Sequence, residues 1–129
     1  MIVLDASALV DVVARTTRAD WVLRRLTSEA CAPAHQTAEV LSAMARIVRA
    51  GALTDVAGSA ALDQAFALEQ DLRALTPSQV RRALALQDSI RVLDGLYVAL
   101  AEELDAPLLT TDQRLARSVT TCEVWAPAA

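Results

Sequence analysis

The sequence has a single histidine, only three glycines and no lysine among its 129 residues. One histidine, His35, excludes any acid–base mechanism that needs two histidines. The three glycines are too far apart to build a G-x-G-x-x-G dinucleotide-binding loop or a P-loop. Without lysine, neither the P-loop lysine nor a Schiff base is possible. The sequence therefore excludes the common nucleotide-binding loops and lysine-based covalent catalysis.

Cysteine is also scarce, with only Cys31 and Cys122. They stand far apart and do not match the paired ligands of a structural zinc site. No basic segment precedes an apolar run at the N-terminus, and the longest stretch without a charged residue is Ala30–Ala38, which is too short to span a bilayer. We expect free, buried thiols, no membrane segment and a cytoplasmic protein.

Composition places the chain among folded proteins. Hydrophobic residues make up 54% and charged residues 22%, which excludes disorder by composition. The length suits one domain, residues 1–129. The net charge of −4 argues weakly against a nucleic-acid partner.

Short apolar runs alternate with longer segments of helical periodicity. This alternation predicts βαβ units, and so an α/β fold with a short parallel sheet and helices on both faces, although an all-helical fold stays open. The predicted strands are Ile2–Leu4, Ala30–Ala32, Ala65–Leu68, Leu108–Thr111 and Glu123–Trp125. The predicted helices are Ala6–Ala14, Arg18–Leu26, Thr37–Ala50, Thr54–Asp63, Thr76–Leu86, Val92–Leu104 and Asp112–Val119.

Two of the apolar runs end in an aspartate that is followed by a helix, at Asp5 and at Asp112. In an open parallel sheet, ligands bind outside the carboxyl ends of the strands, where both aspartates are expected. Taken singly, each is better explained as a plain helix N-cap, where aspartate is favoured.

Asp94 and Glu39 lie in the first turns of predicted helices. Val98 and Ala101 are the next residues on the Asp94 side of its helix, so this carboxylate lies on an apolar face and needs a partner or a metal. The helix dipole is the alternative explanation. Glu39 lies opposite the apolar stripe that includes Leu41, and by pattern alone it is better explained as a solvated residue.

Four carboxylates without a second histidine or paired cysteines suit Mg²⁺ or Mn²⁺ rather than zinc or copper. Such a site activates water and neutralises charge on a phosphate, so an acidic protein can act on a polyanion. Ser7 and Thr111 adjoin two of the acids and could orient water or cap helices. Arg46, Arg91 and Arg114 are candidates for phosphate contacts, and equally for surface ion pairs.

The order of these segments is similar to that of the PIN-domain ribonucleases, and in particular of VapC-type toxins. The likeness extends over almost the whole chain, and four motifs in the same order carry it. The matching stretches are Ile2–Val10, Thr37–Val40, Leu93–Ala101 and Leu108–Leu115. Leu93 stands where the family more often has tyrosine, and Gly95 where alanine is common, so the first turn of that helix is expected to be looser.

This resemblance implies a Rossmann-like α/β/α sandwich and a Mg²⁺-dependent endoribonuclease, the toxin of a type II toxin–antitoxin pair. The family's acidic set falls on Asp5, Glu39, Asp94 and Asp112, of which Asp5, Asp94 and Asp112 would hold the metal. It also implies an RNA substrate, a VapB-type antitoxin and a homodimer. The alternative is a catalytically silent PIN-like module that binds RNA or an antitoxin.

The remaining aromatic and imidazole side chains have plainer explanations. No base-stacking platform is visible, and Trp21, Phe66, Tyr97 and Trp125 are expected in the core or at a partner interface. The apolar side of the Trp21 helix is a candidate groove for an antitoxin helix, or it packs on the sheet. A structural role is favoured for His35.

Overall fold

The computed structural model describes residues 1–129 and contains five strands and seven helices. The strands are β1 (Ile2–Leu4), β2 (Ala30–Pro33), β3 (Asp71–Arg73), β4 (Leu108–Leu109) and β5 (Val124–Trp125). The helices are α1 (Ala6–Val13), α2 (Ala19–Arg25), α3 (Gln36–Arg49), α4 (Asp55–Ala67), α5 (Pro77–Ala85), α6 (Val92–Leu104) and α7 (Gln113–Ser118).

The five strands form one parallel sheet in the order β3-β2-β1-β4-β5. The chain runs outward from β1 to β3, then returns past β1 to β4 and β5. The strand order therefore reverses between β1 and β4, which pair Val3 with Leu108 and Leu4 with Leu109. A crevice outside the carboxyl ends of these two strands is where open α/β sheets bind ligands.

Helices cover both faces of this sheet, as the alternation of apolar runs predicts. Helix α6 packs across β1, β2 and β4 and is itself covered by α5, while α1, α3 and α4 pack on one another. Buried side chains of the three central strands and of α6 form one continuous core. The α/β/α sandwich is confirmed.

Local sequence signals place several of the helix ends. Helix α5 begins with a complete capping box, in which Thr76 accepts from the Gln79 amide and Gln79 accepts from the Thr76 amide. Gly51 follows α3 with φ of +78°, a left-handed conformation that glycine adopts without steric cost. Cys31 is buried, Cys122 is half-buried, and both are free thiols. None of the seven helices has the length and hydrophobicity needed to cross a membrane.

Three sequence expectations are wrong in detail. Residues 65–67 continue α4, because alanine and leucine favour helix; the third strand lies later, at Asp71–Arg73. Leu41 is predicted to lie in an apolar stripe but is 56% exposed, and Leu93, in the first turn of the predicted Val92–Leu104 helix, is 52% exposed rather than part of the core. The buried face of α3 instead consists of Gln36, Val40 and Met44, which rotates Glu39 toward the protein.

Candidate active site

Asp5, Glu39, Asp94 and Asp112 line one cleft of about 400 Å³ at the carboxyl edge of the sheet. Asp5 directly follows β1, and Asp112 closely follows β4. Helix α3 starts at this edge because it follows β2. Helix α6 starts here because it runs back along the sheet before β4. The topology therefore brings all four predicted acids together.

Asp5 is the most enclosed of the four, with 4% of its surface exposed. Its Oδ2 accepts hydrogen bonds from the Ser7 hydroxyl at 2.5 Å and the Thr110 hydroxyl at 2.7 Å. Burial raises the pKa of Asp5, the two hydroxyls act to lower it, and the charge of Asp112 raises it further. The hydroxyls stabilise a carboxylate that burial and a neighbouring charge disfavour.

Asp112 is held by backbone amides. Its Oδ1 accepts hydrogen bonds from the amides of Arg114 at 2.9 Å and Leu115 at 3.2 Å, so it is the N-cap of α7. Its own amide donates to the Thr110 hydroxyl at 3.0 Å. The capping role that the sequence suggested is therefore real, and it leaves Asp112 facing the cleft.

Asp94 has the weakest protein contacts of the four. Its side chain is 19% exposed, and its closest ionic partner is Arg91, with Nε 3.9 Å from Oδ2. Burial, followed by the charges of Asp5 and Glu39, raises its pKa to about 6, against a smaller opposite effect of Arg91. Asp94 therefore feels the other acids strongly and lacks a compensating cation.

Glu39 is enclosed by two aromatic rings. The Tyr97 hydroxyl donates a 2.7 Å hydrogen bond to its Oε1, and Nε2 of His35 lies 3.3 Å from the same oxygen. The two rings are in contact, with centroids 5.0 Å apart. Burial raises the pKa of Glu39, the Tyr97 bond lowers it, and the charge of Asp5 raises it. The expectation of a solvated glutamate, made from the helical pattern alone, is wrong.

Asp5, Glu39 and Asp112 share one feature. The side-chain hydrogen bonds to Asp5 and Glu39, and the backbone hydrogen bonds to the Asp112 side chain, each go to a single oxygen of the carboxylate. No three carboxylate, imidazole or thiolate side chains already converge as a complete set of metal ligands. Mg²⁺ needs only one or two carboxylates, because it retains several waters. Hard oxygen donors that lie together in one cleft therefore fit a hydrated divalent cation.

Basic side chains surround the acidic centre. Arg46 and Arg91 line the cleft itself, and Arg114 lines an adjoining depression together with Arg91 and Asp94. Arg18 donates a 2.9 Å hydrogen bond to the Thr111 carbonyl, beside Asp112. Cations at the rim of an acidic centre suit a phosphodiester chain better than a small cationic ligand.

Sequence reasoning missed two contacts of this site. Thr110 holds Asp5, whereas the neighbouring Thr111, which was the candidate, contributes its amide to the Ser7 hydroxyl at 3.1 Å. Tyr97 lies in the core as expected, but its hydroxyl reaches Glu39. The sequence carries no local signal for this contact, because Tyr97 and Glu39 lie on different helices and are 58 residues apart.

Three comparisons with known proteins agree. The PIN domain family model matches residues 2–119. The chain is 47% identical over 119 residues to Ribonuclease VapC3 of Mycobacterium tuberculosis strain H37Rv, which covers 91% of this chain and 86% of that protein. It is 41% identical over 119 residues to Ribonuclease VapC12 of the same strain, covering 92% of each. The structure of VapBC2 from Rickettsia felis, bound to a DNA fragment from their promoter, has a TM-score of 0.70 at 14% identity, covers 98% of both chains, and shows the same fold.

Proposed function

The chain belongs to the PIN domain family, and we propose that it is a metal-dependent endoribonuclease of the VapC type, the toxin of a type II toxin–antitoxin pair. The observation that carries this proposal is the convergence of four carboxylates on one cleft at the switch point of the sheet. The names of the relatives support RNA as the substrate. We expect the protein to act in the cytoplasm, where its substrate is made.

In this proposal Asp5 and Asp94 hold Mg²⁺, or Mn²⁺ in its place, with Asp112 as a third ligand. A divalent ion held there would supply positive charge beside the scissile phosphate and would make water more acidic. Asp5 is already fixed by hydroxyls and Asp112 by backbone amides, which limits the reorganisation that metal binding requires. Asp94 adds a negative charge whose closest cationic partner, Arg91, is 3.9 Å away.

The protein groups around that centre act on water and substrate. Glu39 orients the attacking water through its second oxygen and accepts a proton from it, and the raised pKa of this half-buried carboxylate makes it a stronger base than an exposed glutamate. Arg46 and Arg91 bind the phosphates on either side of the cleaved bond. Asp112, at the N-terminus of α7, completes the set of four acids that line the cleft.

The test is cleavage of total RNA by the purified protein with Mg²⁺ and with EDTA. Asp94→Asn removes one carboxylate charge at the centre and is expected to abolish cleavage, since it weakens binding of the metal. The variant is expected to keep its fold. Asp63→Asn, an exposed acid on α4, is the matched control and is expected to cleave normally. An Asp94→Asn variant with wild-type activity would contradict the proposal. Binding of RNA without cleavage by any variant would favour the silent module instead.

A VapB-type antitoxin is the proposed partner, and an apolar groove supports it. Between α1, α3 and α4 lies a groove of about 170 Å³ whose rim carries Phe66, 73% exposed, and Leu41. Soluble proteins rarely leave large apolar side chains together in water unless another chain covers them. On the Trp21 helix, by contrast, Val22 is buried and Leu23 is the exposed large apolar side chain.

A second exposed apolar surface supports the proposed homodimer. Val80 and Leu84 on α5, and Val92 and Leu93 at the start of α6, are each exposed by 46% or more. We propose that two copies of the chain pair through this surface. Leu84→Glu is expected to give a monomer by light scattering, whereas an unchanged molar mass would place the dimer contact elsewhere.

A further inference from the structure

The hydrogen bond between Tyr97 and Glu39 joins α6 and α3, the helices that carry Asp94 and Glu39. Tyr97 lies on α6, three residues after Asp94, and Glu39 lies in the first turn of α3. Tyr97 is fully buried, and its hydroxyl donates to Oε1 of Glu39 at 2.7 Å. A buried tyrosine hydroxyl needs a partner, and a carboxylate is the strongest acceptor a protein can offer.

His35 contacts the same carboxylate oxygen from the other side. Its Nε2 lies 3.0 Å from the Leu93 carbonyl and 3.3 Å from Glu39 Oε1, and both are acceptors, so Nε2 carries the hydrogen. The imidazole therefore tethers the first turn of α3 to the first turn of α6. Its ring also packs against the Tyr97 ring, with an interplanar angle of 55°.

These contacts treat the two oxygens of Glu39 differently. Oε1 is next to two donor groups, whereas Oε2 has no hydrogen-bond partner in the protein. A carboxylate that is fixed at one oxygen has a defined orientation of the other, because rotation about the Cγ–Cδ bond would break the held contact. A general base gains rate from such orientation even when its contacts lie away from the substrate.

We propose that Tyr97 is a positioning residue for Glu39: together with His35, it holds Oε1 so that Oε2 is the oxygen available to the reacting water. This inference rests on the proposed ribonuclease function for its effect on rate. Tyr97 touches neither substrate nor metal in this account, and it acts entirely through Glu39.

The test is a double-mutant cycle with Tyr97→Phe, Glu39→Gln and the double variant, measured as RNA cleavage with Mg²⁺. We expect Tyr97→Phe to lower kcat about tenfold with little change in KM, as for loss of one hydrogen bond to a charged group. Glu39→Gln is expected to lower it by about 100-fold or more. In the Glu39→Gln background, Tyr97→Phe should cost nothing further, since its effect passes through the lost carboxylate. Independent, multiplying effects would overturn the proposal.

A stability control separates positioning from damage to the core. Thr76→Val removes the capping box of α5, at a position that does not line the acidic cleft, and should lower stability by an amount similar to Tyr97→Phe without lowering kcat. His35→Ala removes the second contact to Oε1 and serves if Tyr97→Phe does not fold. It is expected to lower kcat about threefold, again only where Glu39 is intact.

A readout without RNA keeps this inference apart from the proposed function. The ¹³C carboxyl signal of Glu39 is followed by NMR through a pH titration, with Glu39→Gln used for assignment. Loss of the Tyr97 hydroxyl should raise the pKa of Glu39, because that bond favours the charged form. An unchanged titration of Glu39 in Tyr97→Phe overturns the positioning role. If Tyr97→Phe shifts the titration of Glu39 but the wild-type protein never cleaves RNA, the Tyr97–Glu39 contact is supported and the proposed ribonuclease function is rejected.

Discussion

Thr110 donates a 2.7 Å hydrogen bond to Oδ2 of Asp5 across the junction of β4 and β1. The pairing of Leu4 with Leu109 makes these two residues neighbours on adjacent strands. The same Thr110 oxygen accepts the Asp112 amide at 3.0 Å, so one hydroxyl connects two of the four acids. The strand register, rather than proximity in sequence, sets the spacing of this half of the site.

We therefore predict that Thr110→Val lowers cleavage activity while the protein stays folded. Valine keeps the shape of threonine but removes the donor, so the pKa of Asp5 should rise and the pH at which activity appears should move upward. Stability should fall by about 1–3 kcal/mol, the cost of a lost bond to a buried charge. pH–rate profiles and urea unfolding measure both effects. Thr120→Val, at an exposed position, is the control, and an unshifted profile in Thr110→Val would contradict the prediction.

Stability should depend on pH through the crowded carboxylates. The pKa of Asp94 is raised to about 6, so its protonated form stabilises the fold. That contribution is complete below the unfolded pKa, near 3.8, and is lost as the pH rises through about 6. The metal-free protein should therefore lose stability between about pH 4 and pH 7 as far as this group is concerned.

Mg²⁺ should restore that stability only where the acids are ionised. At ten times its Kd, bound Mg²⁺ is expected to add about 1.4 kcal/mol. Melting temperatures with and without Mg²⁺ should differ clearly at about pH 7.5 and much less at about pH 5, because protonated acids bind the ion poorly. The same shift at both pH values, or a full shift in Asp94→Asn, would argue against a site built on these carboxylates.

Gly95 permits the close approach of α5 and α6 beside the site. A Cβ at this position would lie 3.1 Å from both Cα and Cβ of Ala83, and the Cα cannot move without shifting α5. Gly95→Ala is therefore predicted to destabilise the protein by about 1–2 kcal/mol, despite the helix propensity that alanine normally adds. Urea unfolding of this variant, beside Ser59→Ala on the exposed face of α4, measures the effect. A gain in stability would mean that the two helices separate freely.

The apolar groove beside α4 should be needed for partner binding and not for catalysis. Phe66 lies on its rim, away from the acidic cleft. When the chain is co-expressed with the product of a small reading frame next to its gene, Phe66→Asp should fail to co-purify with it but should still cleave RNA. Retained co-purification would place the partner elsewhere, and the exposed Val56→Asp is the matched surface control.

Much of the fold was predictable because local signals agree with it. The capping box at Thr76 predicts a helix start, and Gly51 predicts the end of α3. The short apolar runs before Asp5 and Asp112 predict strands. The third strand was misplaced because an edge strand such as Asp71–Arg73 buries little and so carries no apolar run. Its position depends on pairing with β2, which is a long-range effect.

The acidic set was predictable by position, whereas the support around it was not. Asp5 and Asp112 follow strands, and this alone places them at the ligand-binding edge. The hydroxyl of Thr110 and the phenol of Tyr97 reach their acids through the sheet register and through helix packing. Neither contact follows a fixed sequence spacing to its partner, although His35 is four residues before Glu39 and so faces it on α3.

Titration of the purified protein with Mn²⁺, followed by water-proton relaxation, tests the central claim most directly. If the carboxylates form one metal site, the wild type should bind the ion, and Asp5→Asn and Asp94→Asn should each weaken binding at least about tenfold, since each removes a charged ligand. Asp63→Asn should bind like the wild type. Binding by Asp94→Asn that equals the wild type would contradict the account, because the metal would then lie outside the cleft that Asp5, Glu39, Asp94 and Asp112 define.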